Sequence, residues 1–259
     1  MPRFGKNFAN HPYLQVIYIH FAFYLVNAVI LFFVFGITGI YCHVINLFLL
    51  GAGVIFSRRL RIIGLTGQAC SGKSTTAKYL RDKYGASLII IDDINKEVLS
   101  RPEVKKEIRE KLGQEVFFEN GELNKPKMRE MIYKDEKKKK DLETITHMRV
   151  LKTMVWAIFR EKFLMGNKYV VLENAILLRF KMLTYWCFPI LSICLRNQSD
   201  LLIRIMKRDN CTQESAENML KNQTSTEEFY KKSDYCILND GSEQDLNNEI
   251  DKFVNLLNS

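Results

Sequence analysis

The sequence predicts an α/β fold built on a central parallel β-sheet, preceded by an apolar N-terminal segment. Short apolar runs alternate with helical segments from residue 61 onward, which is typical of a parallel sheet with helices between its strands. A glycine-rich loop joins the first apolar run to the first helical segment, and residues 7–57 contain no Asp, Glu, Lys or Arg. A chain of 259 residues with 47% hydrophobic composition can hold one such domain and an appendage.

The apolar segment, residues 13–56, is predicted to anchor the chain in a membrane. It is roughly twice as long as the run of about 20 residues that one helical span needs. Gly36 and Gly39 lie near its middle and favour a tight reversal, so we expect a transmembrane helical hairpin with spans near residues 14–35 and 40–56. One long tilted span is the alternative.

Basic residues flank the apolar segment on both sides. Arg3 and Lys6 precede it, and Arg58, Arg59 and Arg61 follow it. Because basic flanks stay in the cytosol, both ends are expected there, on the endoplasmic reticulum or the mitochondrial outer membrane. The predicted domains are residues 1–57 for the anchor and residues 58–259 for the globular part, which faces the cytosol.

The net charge and the cysteine content exclude few classes of function. The net charge of +9 suits anionic small molecules, membrane surfaces and nucleic acid equally well. The six cysteines include no C-x-x-C pair, so neither a structural metal nor a disulfide framework is expected. Cys70 lies inside the glycine-rich loop, which favours a reducing compartment.

The glycine-rich loop, Gly67 to Ser74, matches the phosphate-binding pattern G-x-x-x-x-G-K-[ST] at every fixed position. Its backbone N–H groups and the following helix N-terminus are predicted to bind nucleotide phosphates. Lys73 is expected to bridge the β- and γ-phosphates of ATP, and Ser74 to hold Mg²⁺. The loop alone does not separate GTPases, ATPases and small-molecule kinases.

Two carboxylates, Asp92 and Asp93, follow the second predicted strand, residues 87–91. Ligands of open α/β sheets bind at the carboxyl ends of the strands, so Asp92 could accept a hydroxyl proton or position Mg²⁺. Asp93 is predicted to cap the helix that follows.

Residues 101–165 are predicted to form a helical insertion between two strands. Further strands are predicted at residues 169–172, 189–195 and 235–238. Within the insertion, Trp156, Phe159 and Phe163 form an apolar stripe at helical spacing, expected to be core.

Seven sequence blocks follow one another along residues 61–259. They are GLTGQACSGKST, IDDINKEV, ENGELNKPKM, LETITH, YVVLENAILL, RIMKRDN and SDYCILNDGS. In this order the blocks resemble the dephospho-CoA kinase family. The resemblance implies a three-layer P-loop kinase fold with a central parallel five-stranded sheet, a helical substrate domain at 101–165 and a lid near 199–223. It also implies ATP-dependent phosphorylation of the ribose 3′-hydroxyl of dephospho-CoA.

The resemblance also implies roles for individual residues. Asp92 is the implied general base, and Arg208, with Arg204, belongs to the lid that closes on the ATP phosphates. His147 is implied to lie near the acceptor, with a structural role as the equal alternative. Glu173, which ends an apolar strand, is either a Mg²⁺ ligand or a structural acid that bonds the phosphate loop. The implied ATP-binding residues are Gly67, Gln68, Ala69, Cys70, Ser71, Gly72, Lys73, Ser74, Thr75, Arg204, Asn239 and Gly241.

The sequence departs from the family pattern around the acceptor. Ile90, Asn124, Met148 and Arg179 replace an aspartate, an aspartate, a proline and a glutamate of the family motifs. Leu151 stands where an arginine is frequent, so Arg149 and Lys152 are the candidates to bind substrate in its place.

Three functions remain open at this point. The leading hypothesis is a membrane-tethered dephospho-CoA kinase that uses ATP and Mg²⁺, acts as a monomer and binds no nucleic acid. The alternatives are a pseudokinase that binds nucleotide or a CoA species without turnover, and another P-loop kinase acting on a nucleoside or nucleotide.

Overall fold

The computed structural model describes residue 41 and residues 43–48, 62–221 and 223–258. The predicted hairpin at residues 13–56 lies almost wholly outside this range and stays a prediction. In the described part of the chain, no helix is both long enough and apolar enough to span a bilayer.

A five-stranded parallel sheet forms the centre of the domain, as the sequence predicted. The strand order is β2-β3-β1-β4-β5, so the first strand lies in the middle. After β1 the chain crosses to the edge strand β2 and returns to form β3 between β2 and β1. It then continues on the other side of β1 with β4 and β5. The strands are β1 Ile62–Gly67, β2 Ser87–Ile90, β3 Val170–Glu173, β4 Ile190–Cys194 and β5 Tyr235–Leu238.

Helices occupy the connections between the strands. Three short turns lie between or after these helices. They are a 3₁₀ turn at Gln114–Val116, a π-helical turn at Arg160–Leu164 and a 3₁₀ turn at Leu177–Arg179. The helices are α1 Lys73–Tyr84, α2 Ile91–Ser100, α3 Pro102–Leu112, α4 Lys125–Lys134, α5 Glu136–Phe159, α6 Lys181–Trp186, α7 Gln198–Asp209, α8 Gln213–Lys221, α9 Thr226–Lys232 and α10 Glu243–Asn258.

The sheet is buried on both faces, which explains its continuous apolar strands. In β1, Ile62 packs into one core cluster, while Ile63 and Leu65 pack into the other. Successive side chains of a strand point to opposite faces, so one strand supplies both cores. Helices α1 and α10 cover the face of Ile63, and α2 to α6 with α9 cover the face of Ile62, giving three layers.

Two local predictions were wrong. Asp93 does not cap a helix, because α2 already begins at Ile91 and its N-cap is Ile90. The aromatic stripe is not core: Trp156 is 58% exposed and Phe159 is 42% exposed. The buried face of α5 carries Ile145, Met154 and Ile158 instead, and the aromatic side chains lie on another side of the helix.

Helix α10 stabilises the domain through one buried aromatic ring. Phe253 is 2% exposed and its ring lies 5.2 Å from that of Tyr235 in β5. We expect Phe253→Ala to lower the free energy of unfolding by about 3–5 kcal/mol, because the substitution leaves a cavity that the core cannot fill. Leu256→Ala, on the 40% exposed position of the same helix, is the matched control. Equal losses for both variants in urea unfolding would contradict this role.

Candidate active site

The phosphate loop connects β1 to α1 and has room only for glycine at two positions. Gly67 has φ +144°, and a Cβ there would lie 2.1 Å from the carbonyl oxygen of Ile193 in β4. Gly72 has φ +104°, and its Cβ would lie 2.5 Å from Nδ2 of Asn239. Both backbone conformations are ones that side-chain-bearing residues rarely adopt. The neighbouring strands therefore fix the shape of the loop.

The N-terminus of α1 is prepared for an anion. No side chain caps the helix at Gly72, and its first turn contains no acidic residue. The first N–H groups of a helix and its dipole favour negative charge, so this end can bind phosphate. Ser74 and Thr75 lie exposed in that first turn.

Lys73 lies folded into the loop. Its Nζ donates hydrogen bonds to the carbonyl oxygens of Gly67, at 3.1 Å, and of Gln68, at 2.6 Å. Burial lowers the pKa of this ammonium group, and the carboxylate of Glu173 partly opposes that effect. The two carbonyls hold the cation where phosphate oxygens can replace them.

Glu173 ends β3 and brings a carboxylate to the loop. It pairs in register with Leu65 of β1 and Ile90 of β2, and its side chain is 9% exposed. Ser74 Oγ donates a long hydrogen bond of 3.5 Å to Glu173 Oε1. Burial raises the pKa of this carboxyl, Lys73 lowers it, and the charge of Asp92 raises it further.

Asp92 lies two residues beyond the end of β2, exposed in the first turn of α2. Because Ile90 at the end of β2 pairs in register with Glu173, and Glu173 with Leu65 of β1, Asp92 follows β2 at the same edge of the sheet as the phosphate loop. Its neighbour Asp93 forms an ion pair of 2.7 Å with Lys96. Glu173 thus lies against the loop, and Asp92 follows the strand at its side. Among the described residues, no three His, Cys, Asp or Glu side chains form a metal-binding group.

Helix α7 carries the two predicted lid arginines. The guanidinium of Arg208 donates two hydrogen bonds of 2.7 Å to Asp209 and acts electrostatically on Lys73 and Cys70. Arg204 donates to the carbonyl oxygen of Asn239 at 3.3 Å. Both cations thus lie near the loop, where transferred phosphate charge would need them.

Cys70 is part of the loop backbone. It is half-buried with φ +58°, and burial raises the pKa of its thiol. Its side chain packs against the small apolar cluster beneath α7 and α8. Loop and lid therefore share a packing contact.

Several contacts that hold the loop were not predicted. Asn239, implied by the resemblance to bind ATP, donates from Nδ2 to the carbonyl oxygen of Ser71 at 2.8 Å. Gln68 accepts from the backbone N–H of Leu195 at 2.9 Å and donates to Thr226 Oγ1 at 3.0 Å. Gln223 Oε1 accepts from the N–H of Ala69 at 2.9 Å. Their partners lie far away in the sequence, so no local pattern reveals them.

The predicted acceptor residues of α5 differ in their surroundings. His147 and Lys152 are exposed. Arg149 forms two hydrogen bonds with the carboxylate of Glu107, at 2.6 and 3.2 Å, and so joins α5 to α3. That arrangement favours a structural role for Arg149 and leaves the other two side chains accessible.

A comparison with protein-family models identifies the family of this chain. The family model for dephospho-CoA kinase matches residues 61–245, which is well over half of the chain and includes the phosphate loop, Asp92, Glu173, both lid arginines and Asn239. This chain belongs to the dephospho-CoA kinase family. The resemblance stated from the sequence blocks is thereby confirmed at the level of the family.

Curated relatives agree with the family model. A Fusobacterium nucleatum dephospho-CoA kinase is 31% identical over 194 residues, covering 75% of this chain and 97% of the relative. A Bacillus cereus dephospho-CoA kinase is 35% identical over 184 residues, covering 70% and 89%. A Danio rerio dephospho-CoA kinase domain-containing protein is 30% identical over 191 residues, covering 73% and 82%.

Solved structures confirm the α/β fold. A Thermus thermophilus protein superposes with a TM-score of 0.66 at 23% identity, covering 76% of this chain and 97% of that one. A dephospho-CoA kinase from Campylobacter jejuni gives a TM-score of 0.52 at 24% identity, with 76% and 97% covered. The predicted P-loop kinase fold with a five-stranded parallel sheet is correct.

Departures from the dephospho-CoA kinase motifs have structural consequences here. Asn124 caps α4 by accepting a hydrogen bond of 3.2 Å from the N–H of Lys127. Ile90 ends β2 and precedes the first turn of α2. Met148 is 54% exposed on α5, immediately after His147. Thus Asn124 retains the capping chemistry of an aspartate, while Ile90 removes a carboxylate from the edge of the sheet.

Glu173 is expected to cost the ligand-free protein stability at neutral pH. Its pKa is raised in the folded state, because burial favours the neutral carboxyl. The stability that the neutral form provides is fully present below the unfolded pKa of about 4.3. It is lost as the pH rises through the folded pKa, where the buried group becomes charged. We expect Glu173→Gln to raise the melting temperature at pH 7, with the gain vanishing below about pH 4. Glu143→Gln, on the exposed side of α5, is the control. A gain that does not depend on pH would contradict the argument.

Proposed function

We propose that this protein transfers the γ-phosphoryl group of ATP to the ribose 3′-hydroxyl of dephospho-CoA, forming coenzyme A and ADP. The observation that carries the proposal is that Lys73, Asp92 and Glu173 all stand at the carboxyl ends of the adjacent strands β1, β2 and β3. The edge that carries the phosphate loop therefore also carries carboxylates able to accept a hydroxyl proton. Family membership supports dephospho-CoA as the acceptor.

The phosphate loop supplies the binding half of the reaction. The N–H groups of the loop and of the first turn of α1 bind the phosphates, and Lys73 exchanges the carbonyls of Gly67 and Gln68 for phosphate oxygens. Arg204 and Arg208 close from α7 on the transferred group and stabilise its charge. Asn239, directly after β5, supports the loop, and Gly241, two residues further on, remains a predicted contact with the nucleotide.

Asp92 accepts the proton of the ribose hydroxyl. The hydroxyl oxygen attacks the γ-phosphorus, the bond from that phosphorus to the β,γ-bridging oxygen breaks, and ADP leaves with the bond's electrons. Asp92 is preferred to Glu173 because it is exposed, while Glu173 is buried against Ser74. His147 and Lys152 lie accessible on α5 and would orient the acceptor.

Ser74 and Glu173 are the residues that would hold Mg²⁺. The hydroxyl of Ser74 is exposed at the start of α1 and points to a carboxylate oxygen at 3.5 Å, a set of oxygen donors that suits this ion. Bound there with phosphate oxygens, Mg²⁺ would neutralise charge on the β- and γ-phosphates.

We also propose that residues 13–56 anchor the domain to a membrane with residues 58–259 in the cytosol, acting as a monomer. The absence of charge from residue 7 to residue 57 and the basic flanks support this. The family model begins at residue 61, so the apolar segment lies outside the matched kinase domain.

The acceptor is tested by measuring transfer from γ-labelled ATP to dephospho-CoA. The full chain should form labelled coenzyme A, and Lys73→Ala should abolish the product because the phosphates lose their cation. ATP binding without any product would assign the protein to the pseudokinase class. Transfer to a nucleoside but not to dephospho-CoA would assign it to another kinase class.

The base is tested separately by steady-state kinetics. We expect Asp92→Asn to lower kcat by about 10²–10⁴ with ATP binding unchanged, because the variant cannot take the proton. Asp93→Asn is the matched control, since Asp93 pairs with Lys96 on the surface. A near-native kcat for Asp92→Asn would exclude it as the base.

A further inference from the structure

We propose that the amino edge of the sheet docks on a lipid bilayer through an aromatic patch at the end of α5. The patch consists of Trp156, Phe159, Phe163, Leu164 and Met165 and is called the docking patch below. This inference rests on the membrane anchoring proposed above and adds a second contact, made by the kinase domain itself. It orients the active site relative to the membrane.

The docking patch is exposed and pre-arranged. Trp156 is 58% exposed, Leu164 is 60% exposed and Met165 is 67% exposed. The rings of Trp156 and Phe159 stack with centroids 5.6 Å apart, and those of Phe159 and Phe163 lie 5.1 Å apart. Exposed apolar side chains gathered in one place mark an interaction surface. Tryptophan is especially favoured at the boundary between lipid and water.

Hydrogen bonds place the docking patch at the amino edge of the sheet. Glu161, inside the π-helical turn, accepts two hydrogen bonds. Ser87 Oγ donates one at 2.8 Å, and Asn167 Nδ2 donates the other at 2.9 Å. Ser87 is the first residue of β2, and its N–H donates to the carbonyl oxygen of Tyr169, just before β3. The phosphate loop follows the other end of β1. The π-helical turn that carries Phe163 and Leu164 and the phosphate loop therefore lie at opposite edges of the sheet.

The apolar N-terminal segment joins the domain at this same edge. Ile62 begins β1 and pairs in register with Val170, the first residue of β3. Six residue steps separate Phe56, the last residue of the apolar segment, from Ile62, a reach of at most about 22 Å for an extended chain. A bilayer that holds residues 13–56 therefore cannot lie far from the amino edge.

Charge around the docking patch suits a lipid surface. Lys162 and Lys168 are close to the aromatic residues in the sequence, and Arg58, Arg59 and Arg61 precede β1. Arg160 and Glu161 of the same turn form an ion pair, so together they add no net charge to the surroundings of the patch. Basic side chains around an apolar centre match anionic headgroups above acyl chains. A bilayer is thus favoured over a second copy of the chain, since the same positive charges would face one another in a symmetric dimer.

The position of the docking patch can be measured by tryptophan fluorescence in vesicles. The chain has two tryptophans, so Trp186→Phe leaves Trp156 as the sole reporter. The full-length variant is reconstituted into vesicles of phosphatidylcholine and phosphatidylserine, with and without bromine on the acyl chains near the glycerol end. We expect brominated lipid to quench Trp156, because such patches insert about 5–10 Å into the headgroup and acyl boundary.

A matched reporter stands at the far end of α5. Tyr133 is 88% exposed at the end of α4, next to the start of α5, and the 24 residues of α5 span about 36 Å. Tyr133→Trp, in a chain that also carries Trp156→Phe and Trp186→Phe, should show no quenching. Leu164→Glu with Met165→Glu should reduce the quenching of Trp156, while Ile203→Glu, at an exposed position of α7, should not.

The outcomes separate the docking from the anchoring. Vesicle-bound protein with Trp156 quenched and position 133 unquenched supports the docking patch. Vesicle-bound protein with Trp156 unquenched overturns the docking patch and leaves the anchor intact. Unquenched Trp156 with a cross-linked dimer assigns the patch to self-association and also overturns the proposal. Protein that does not sediment with vesicles overturns both proposals.

Discussion

The close approach of the phosphate loop to β4 and β5 is the constraint on which the site depends. Gly67 lies against the backbone of Ile193, and Gly72 lies against Asn239. Parallel strands must therefore be in register before the loop can adopt its shape. Once they are, Lys73 and Glu173 lie at one edge of the sheet, with α7 and its arginines following β4. The sheet is thus part of the binding site as well as its scaffold.

The buried charges of the site destabilise the ligand-free fold, although nucleotide binding is expected to use them. Burial lowers the pKa of Lys73 and raises that of Glu173, so each group is charged at some cost to the ligand-free fold. Their mutual attraction offsets part of this cost. Bound phosphates would add negative charge beside Lys73, Arg204 and Arg208, so ligand binding is expected to stabilise the protein. Such strained charges cluster at functional sites in general.

The two edges of the sheet have different chemistry. The carboxyl edge carries the loop, the carboxylates and the arginines, whereas the amino edge carries the docking patch and receives the N-terminal segment. In a parallel sheet all strands end together, so one edge gathers every loop that follows a strand. A membrane contact proposed at the other edge leaves the entrance for ATP and dephospho-CoA open to the cytosol.

The sequence alone determined the parallel sheet, the phosphate loop with Lys73 and the position of Asp92, because hydrophobic periodicity and a contiguous motif are local signals. Only the tertiary structure decided which side chains hold that loop, since the partners of Asn239, Gln68 and Gln223 are distant in the chain. It also exposed Trp156 and engaged Arg149 with Glu107. Helical spacing reveals an apolar stripe, but which face of a helix meets the core depends on how the other helices pack.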